Sequence, residues 1–235
     1  MSELLRLEAV QTYIGQFHIL KGVTFEVPRG TVTALLGRNG AGKTTTLRTV
    51  MGLLRPSAGR IWFNGTEIHG RPTHVISRLG IGYVPEDMGI FPNLTVAEHM
   101  QLAMHAEDAM TRERLAWVLD LFSDLKKAWR KPGGTLSGGQ KQMLAIARAY
   151  VNRNALLLID EPSKGLAPVM VAALIDSLNA LKGETTVLLV EQNVIMAAQV
   201  ASHVVIIDDG RTVHHGTMAE LAQDEALKRR YLGIA

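Results

Sequence analysis

The chain has 235 residues, of which 47% are hydrophobic and 20% are charged, and its formal net charge is +3. This balance predicts one globular domain with a sizeable core and room for an inserted lobe. The small basic excess does not indicate a nucleic-acid-binding stripe. Because the sequence contains no cysteine, it excludes disulfides, thiolate metal sites and cysteine nucleophiles.

Two features of the sequence bear on membranes. Residues 1–6 lack the basic start and the apolar core of a signal peptide. No apolar run reaches the ~18 residues that a helix needs to span a bilayer. If the protein works at a membrane, we expect another subunit to span it.

The N-terminal part of the chain predicts β-strands. Residues 5–10 and 22–27 alternate between apolar and polar side chains, and proline and glycine at 28–30 end the second segment. Tyr13 lies between the two segments. Its ring can stack on an adenine if a nucleotide binds nearby. A packed turn aromatic is the alternative, and for the residue taken alone it is the more common case.

A glycine-rich loop follows a third strand. The apolar run 32–36 leads into Gly-Arg-Asn-Gly-Ala-Gly-Lys-Thr at 37–44, and residues 45–53 have a helical pattern. This order matches the P-loop G-x-x-x-x-G-K-[ST], in which backbone N–H groups and a helix N-terminus surround phosphate oxygens. A chance glycine turn with an exposed lysine is the alternative, and the flanking strand and helix argue against it.

The side chains of the loop suit a nucleoside triphosphate. Lys43 supplies a positive charge for the β- and γ-phosphates, and the Thr44 hydroxyl can bind Mg²⁺. The predicted nucleotide-binding residues are Tyr13, Gly37, Arg38, Asn39, Gly40, Ala41, Gly42, Lys43, Thr44 and Thr45.

The pattern changes at Pro85, from strands to helices. Residues 60–65 predict a strand that enters an Asn-Gly turn, and 78–85 predict a strand that the proline ends. Residues 111–128 carry apolar side chains at helical spacing, and the Pro-Gly-Gly sequence within 131–134 ends that pattern.

A helix capping box supports the change from strands to helices after Pro85. Thr95 and Glu98 have the spacing at which each side chain satisfies a backbone N–H at a helix start. We therefore predict an α/β core formed by residues 1–85 and 151–235. A helical subdomain, residues 86–150, is inserted into it.

The core resumes with the continuous apolar run 155–160, which is typical of a central parallel strand. Residues 185–190 and 203–208 predict two more strands, with helices at 170–181 and 196–202. Strands that alternate with helices predict a parallel sheet covered on both faces.

Two acids, Asp160 and Glu161, end the apolar run 155–160. Ligands bind at the carboxyl ends of parallel strands. Asp160 can hold Mg²⁺, directly or through water, and Glu161 can orient and polarise the water that attacks the γ-phosphate. Surface salt bridges are the alternative, and the P-loop upstream favours the catalytic interpretation.

A second glycine motif, Leu-Ser-Gly-Gly-Gln at 136–140, precedes a helical pattern at 141–151. Small residues at a helix N-terminus form another phosphate cradle. One γ-phosphate does not need two cradles from one chain, so we predict a head-to-tail dimer in which each chain binds its partner's nucleotide. An ordinary serine N-cap is the alternative. The residues concerned are Ser137, Gly138, Gly139 and Gln140.

With these motifs in this order, the sequence resembles the ATP-binding subunits of ABC transporters over essentially its whole length. The resemblance rests on the P-loop at 37–44, the signature at 136–140 and the strand 155–161 with its two acids. It implies an α/β P-loop NTPase (RecA-like) core, an N-terminal antiparallel β part and an inserted helical subdomain. It also implies ATP and Mg²⁺ as cofactors, adenine stacking at Tyr13, and a loop at 163–166 that bridges two nucleotide sites.

Two positions depart from that family's general pattern. Glu86 stands where glutamine is usual, and a carboxylate can still bind Mg²⁺ or water. Gln192 stands where histidine is usual; glutamine can hydrogen-bond to phosphate but is not a cation at neutral pH, so Glu161 is the main candidate for activating water. Separately, Lys164 stands where the resemblance leads us to expect an apolar or small residue in the loop 163–166. The predicted catalytic residues are Glu161, Gln192 and Glu86, and the predicted metal ligands are Thr44, Asp160 and Glu86.

The stretches 82–86, 142–148, 165–168 and 189–193 narrow the resemblance. With the P-loop they look like the shorter ATPase of bacterial branched-chain amino acid (Leu/Ile/Val) uptake systems. This implies pairing with a sister ATPase or with a second copy, beneath two membrane permeases fed by a periplasmic binding protein. It implies a peripheral location on the cytoplasmic face of the inner membrane. By analogy, the docking groove for the permeases lies near 86–101.

Three other functions are left open. Urea and amide uptake ATPases are close relatives of the same subfamily. A nucleic-acid-remodelling ABC-type ATPase belongs to another class; the single compact cassette without a coiled-coil insertion or a Lys/Arg tract argues against it, and we predict no nucleic-acid partner. A P-loop kinase is the third, and the segment 136–140 has no role in its chemistry.

Overall fold

The computed structural model describes residues 2–233, which form two β-sheets and the helices around them. In chain order the strands are β1 (Glu3–Ile14), β2 (Phe17–Pro28), β3 (Val32–Leu36), β4 (Ala58–Phe63), β5 (Thr66–Glu67), β6 (Ile81–Val84), β7 (Leu156–Asp160), β8 (Thr186–Val190), β9 (His203–Asp208) and β10 (Arg211–Thr217).

The helices lie between these strands and after them. They are α1 (Lys43–Val50), α2 (Thr73–Arg78), α3 (Val96–Ala103), α4 (Ala109–Leu121), α5 (Ser123–Lys127), α6 (Gly138–Tyr150), α7 (Pro168–Ala180), α8 (Val194–Val200), α9 (Met218–Gln223) and α10 (Glu225–Leu227). Within residues 2–233, none of the helices has the length and the apolar character needed to cross a membrane.

The two sheets differ in strand direction. The first has the order β2-β1-β4-β5 and is antiparallel. The second has the order β10-β9-β3-β8-β7-β6, in which all neighbours are parallel except the hairpin partners β9 and β10. The carboxyl ends of β3 and β7 therefore lie at the same edge of the second sheet, which places the P-loop beside the two acids.

Both faces of the parallel sheet are covered, as the sequence predicts. Every residue of β3, β7 and β8 is buried, which explains their continuous apolar sequences. One face packs against α1 and the antiparallel sheet, with Leu5, Leu47 and Leu158 in one apolar cluster. The other packs against helices, with Leu144 and Leu157 in a second cluster. The first face of the parallel sheet is thus covered mainly by the strands of the antiparallel sheet.

The inserted stretch is helical, and the Thr95 capping box is present. The Glu98 backbone N–H donates to Thr95 Oγ1 at 3.2 Å, and Glu98 Oε2 accepts from the Thr95 backbone N–H at 2.7 Å. The helical pattern over 111–128 is interrupted, because Phe122 (φ −106°, ψ 64°) separates α4 from α5. The apolar cluster of these helices continues into the cluster on the sheet, so the division into two subdomains stays a prediction.

Several helices differ from the sequence prediction: α6 begins three residues earlier than predicted, and α7 and α8 each begin two residues earlier. The helix after the P-loop begins at Lys43, two residues earlier than predicted, and ends at Val50. The short helix α2 was not predicted. It follows Pro72 and has no side-chain cap, so its sequence lacks the signals that mark longer helices.

Candidate functional site

The P-loop connects β3 to α1, and its conformation requires glycine at two positions. Gly37 has φ +150°, and a Cβ there would lie 2.2 Å from the Ile207 carbonyl oxygen. Gly42 has φ +110° and caps α1, and its Cβ would lie 2.8 Å from Leu20 Cδ2. Only glycine fits both the backbone and the space. The loop can therefore turn N–H groups toward an anion at the start of α1.

Lys43 is the buried cation of this loop, with only 4% of its surface exposed. Its Nζ donates to the carbonyl oxygens of Gly37 at 2.9 Å and Arg38 at 3.2 Å. It also lies 3.5 Å from Glu161 Oε1. These bonds hold the ammonium over the loop, where a phosphate group would approach.

The other loop residues differ in where their side chains lie. Arg38 donates from its guanidinium to the Arg230 carbonyl at 3.2 Å, so that side chain turns to the C-terminal segment. Asn39 and Gly40 line the cleft, and Ala41 is buried. The loop thus offers the cleft mainly backbone groups and Lys43.

Thr44 and Asp160 are joined directly. The Thr44 hydroxyl donates to Asp160 Oδ1 at 3.0 Å, and the Tyr83 hydroxyl lies 3.5 Å from Asp160 Oδ2. Burial raises the pKa of Asp160 to about 6, and burial followed by the Asp160 charge raises the pKa of Tyr83 to about 12. Burial disfavours the charged form of each group.

The three predicted metal ligands share one small cleft, which Thr44, Glu86 and Asp160 line together. They provide a hydroxyl and two carboxylates, the hard oxygen donors that Mg²⁺ prefers. In the described part of the chain, no cluster of three or more His, Asp or Glu side chains could hold a metal ion.

Glu161 lies at the centre of the predicted catalytic residues. Its backbone has φ +46°, a left-handed conformation that costs energy for a residue with a side chain and that is common at functional sites. Gln192 Nε2 donates to Glu161 Oε1 at 2.7 Å. Glu161 is only 8% exposed, so its carboxylate is held between the amide of Gln192 and the ammonium of Lys43.

Lys164 connects two of the predicted acids, a role that the sequence does not indicate. Its Nζ lies 2.6 Å from Glu86 Oε1 and 3.8 Å from Glu161 Oε2. The side chain of Lys164 therefore lies across the mouth of the P-loop cleft, which Glu86, Glu161 and Lys164 line with residues of the loop.

Glu191 was missed by sequence reasoning. Its buried carboxylate accepts hydrogen bonds from the backbone N–H of Ser163 at 3.0 Å, the Ser163 hydroxyl at 2.9 Å and the backbone N–H of Gln192 at 3.2 Å. Burial raises its pKa. It ties the loop after β7 to the segment after β8. The sequence signal for Glu191 was its position directly after the apolar strand β8, like that of Glu161 after β7.

Tyr13 lies at the end of β1, opposite His18 in the register with β2. It is 46% exposed. Its ring stacks on the His18 ring, with centroids 4.2 Å apart and planes 5° apart. One face of the ring is thus covered, and adenine stacking at Tyr13 stays a prediction.

The signature residues form the N-terminus of α6. Ser137 caps this helix: its Oγ accepts from the Gln140 backbone N–H at 3.3 Å, and Gln140 Oε1 accepts from the Ser137 backbone N–H at 3.0 Å. Gly139 packs against Met170, whereas a Cβ on Gly138 would meet nothing within 4 Å. Within residues 2–233, the residues that line the P-loop cleft include none of the four signature residues.

Comparisons with known proteins extend over almost the whole chain. Residues 20–164 match the protein family described as ABC transporter. The chain is 38% identical to the high-affinity branched-chain amino acid transport ATP-binding protein BraG of Pseudomonas aeruginosa, over 98% of this chain and 100% of that protein. It is 35% identical to the probable branched-chain amino acid transport ATP-binding protein LivF of Archaeoglobus fulgidus, over 98% and 99%.

A solved structure of the ATP-binding subunit of an ABC transporter has the same fold. It is 30% identical to this chain, with a TM-score of 0.84, and the match covers 98% of this chain and 96% of the solved one.

Proposed function

This chain belongs to the ABC transporter family of ATP-hydrolysing subunits, and from that premise we propose that it powers an importer of branched-chain or related amino acids. The observation that carries this cargo class is the end-to-end match to two relatives named for branched-chain amino acid transport. Recognition of the amino acid belongs to other subunits, and this chain supplies the work of ATP hydrolysis.

ATP binds with its phosphates over the P-loop and its base near the β1–β2 hairpin. The backbone of residues 37–45 and the N-terminus of α1 surround the phosphates, and Lys43 exchanges its carbonyl contacts at Gly37 and Arg38 for phosphate oxygens. Tyr13 stacks on the adenine through the ring face that His18 leaves open.

Mg²⁺ fits the oxygen donors of Thr44, Asp160 and Glu86. When bound, the ion neutralises charge that develops on the phosphate oxygens. Thr44 and Asp160 are joined by a 3.0 Å hydrogen bond, so the two side chains are already positioned relative to each other. Ionisation of Asp160 is favoured by a nearby cation.

Hydrolysis depends on Glu161, which orients and polarises the attacking water. Gln192 is a positioning residue: its 2.7 Å hydrogen bond fixes one oxygen of the Glu161 carboxylate. Glu191 supports the same arrangement, because it accepts from the backbone N–H of Gln192 at 3.2 Å. Glu86 contributes as a ligand to Mg²⁺ or to water.

The signature at the start of α6 completes the nucleotide site of a second ATPase, either a sister subunit or another copy of this chain. Two observations support this. Ser137 and Gly138 are exposed, and they lie outside the lining of this chain's own P-loop cleft. ATP closes such a pair, and hydrolysis opens it.

Two permeases receive this motion at a cleft beside α3 and α6. The cleft is lined by Pro85, Met88, Phe91, His99, Leu102 and Arg148, among others. Phe91 and Leu102 are large apolar side chains exposed there, which suits a helix of another protein. The assembly lies on the cytoplasmic face of a bacterial inner membrane, with a periplasmic binding protein feeding the permeases.

Transport in proteoliposomes tests this proposal. The chain is reconstituted with the permeases and any second ATPase encoded beside its gene, and with the binding protein. We expect ATP-dependent uptake of leucine, isoleucine or valine, lost in Glu161→Gln. If only urea or short amides are taken up, the chain is instead the ATPase of a urea or amide importer. Salt-sensitive DNA or RNA binding without permease-stimulated ATPase activity would contradict the importer.

A further inference from the structure

Lys164 lies in the nucleotide cleft because two carboxylates hold it there. Its Nζ is 2.6 Å from Glu86 Oε1, although the two residues are 78 positions apart in the sequence. The second oxygen of Glu161 is 3.8 Å from the same ammonium. A lysine on a surface loop ordinarily extends into solvent, since an isolated exposed ion pair stabilises a protein very little.

The charged side chains that line this cleft balance one another. They are Lys43 and Lys164 against Glu86 and Glu161, two positive charges and two negative charges. Without Lys164, the P-loop lysine would face two carboxylates, and these three side chains would give the lining a net charge of −1. A negative lining repels the phosphates of a nucleotide.

The two lysines differ in their freedom to move. Lys43 is 4% exposed, whereas the Lys164 side chain is 61% exposed. Glu86 is also partly exposed, at 43%. The Lys164–Glu86 pair can therefore separate at low cost, which releases an ammonium beside the P-loop when an anion arrives.

We infer that Lys164 is a second cation of the nucleotide cleft, which offsets the Glu86 carboxylate and lets the cleft accept the β- and γ-phosphates of a nucleoside triphosphate. The inference rests on the proposed function, because it assumes that ATP occupies this cleft. It assigns Glu86 and Lys164 as a matched pair, so that changing either one alone alters the charge that the phosphates meet.

A double-substitution cycle tests this charge balance. Lys164→Leu makes the lining −1, Glu86→Gln makes it +1, and the double variant returns it to zero. ATP affinity is measured by calorimetry in EDTA, so that Glu86 has no metal to bind. We expect Lys164→Leu to weaken ATP binding about three- to tenfold and Glu86→Gln to tighten it by a similar factor. The double variant and Lys164→Arg stay within about twofold of the wild type.

Two controls separate charge in the cleft from general effects. AMP lacks the β- and γ-phosphates, so its affinity should change less than about twofold in every variant. Lys127→Leu removes an exposed lysine that also pairs with an acid three residues away, Asp124 at 3.0 Å, and it should leave ATP affinity unchanged. The effect of Lys164→Leu should shrink as salt is raised. Circular dichroism confirms that each variant is folded.

A double variant that keeps the full loss seen in Lys164→Leu, or equal losses for ATP and AMP, would overturn the inference. An unchanged ATP affinity in Lys164→Leu would mean that the lysine forms only a surface ion pair, and would overturn it as well. If the wild-type protein binds no ATP at all, the proposed function fails too, and the two failures are thereby distinguished.

Discussion

The two glycine motifs of this chain, the P-loop and the signature, are constrained in opposite ways. At Gly37 in the P-loop, a Cβ would lie 2.2 Å from the Ile207 carbonyl oxygen, so the fold itself requires glycine. At Gly138 in the signature, a Cβ would meet nothing within 4 Å. The P-loop is enclosed by its own chain, whereas the space in front of Gly138 is solvent. The fold of this chain therefore does not itself require glycine at Gly138, which supports the proposal that this position faces another chain.

The two motifs also differ in the chemical groups that this chain places beside them. The P-loop faces Glu161 and Lys164, and Lys43 is already held over it. The signature offers the N-terminal N–H groups of α6, the Ser137 hydroxyl and the side-chain amide of Gln140. This difference supports the proposal that the signature contributes to a nucleotide site on another chain.

The largest expected effect is at the P-loop site. Glu161→Gln keeps the shape of the side chain but removes the charge that we propose polarises the attacking water, so ATPase activity should fall by about 10²–10⁴-fold. ATP binding and closure of the dimer should persist. Steady-state ATPase assays and ATP binding measure the two properties separately. Glu184→Gln, at an exposed acid after α7, is the matched control, and normal hydrolysis by Glu161→Gln would disprove the assignment.

A substitution in the signature should separate stability from activity. Gly138→Asp places a carboxylate at the first position of α6, where the helix dipole stabilises it by about 0.3–1 kcal/mol. The same charge repels a triphosphate bound by the partner, so ATPase activity should fall by about tenfold or more. Urea unfolding and ATPase assays provide the two readouts.

Ala109→Asp is the control for the signature substitution. Ala109 is the exposed first residue of α4, which also follows a side-chain cap, Asp108. The variant Ala109→Asp should show the same small change in stability as Gly138→Asp, but its ATPase activity should be normal. An equal loss of activity in both variants would mean that Gly138 has no special role.

The smallest effect is expected at Gln192. Its amide donates a 2.7 Å hydrogen bond to Glu161, and we assign it no part in proton transfer. Histidine can donate the same hydrogen bond, so Gln192→His should keep ATPase activity within about tenfold of the wild type. Gln199→His on α8 is the control. Complete loss of activity in Gln192→His alone would count against this account of the P-loop site.

The sequence alone is sufficient to locate those site motifs whose residues are consecutive in the chain. The P-loop, the two acids after β7 and the signature each occupy one short stretch with fixed spacing. The family resemblance and the α/β fold class that they imply are confirmed by the matching family and the full-length relatives. The roles of the individual site residues stay predictions.

Contacts between distant segments could not be read from the sequence. Lys164 meets Glu86 across 78 positions, and Glu191 bonds to Ser163 across 28. Only the fold brings these pairs together. The sequence of β1 and β2 likewise does not show that their sheet packs on one face of the parallel sheet, because period-2 alternation identifies a buried face without identifying its neighbour.

The central claim is that the signature completes a nucleotide site on another chain when ATP is bound. Cysteine labelling tests this claim directly. The chain has no cysteine, so Ser137→Cys introduces a single thiol at the exposed start of α6. In the assembled transporter with Glu161→Gln, ATP should slow maleimide labelling of Ser137→Cys by about tenfold or more, as a side chain passes from solvent into an interface core. Labelling of Ala109→Cys should not change. Equal labelling rates at Ser137→Cys with and without ATP would contradict the account.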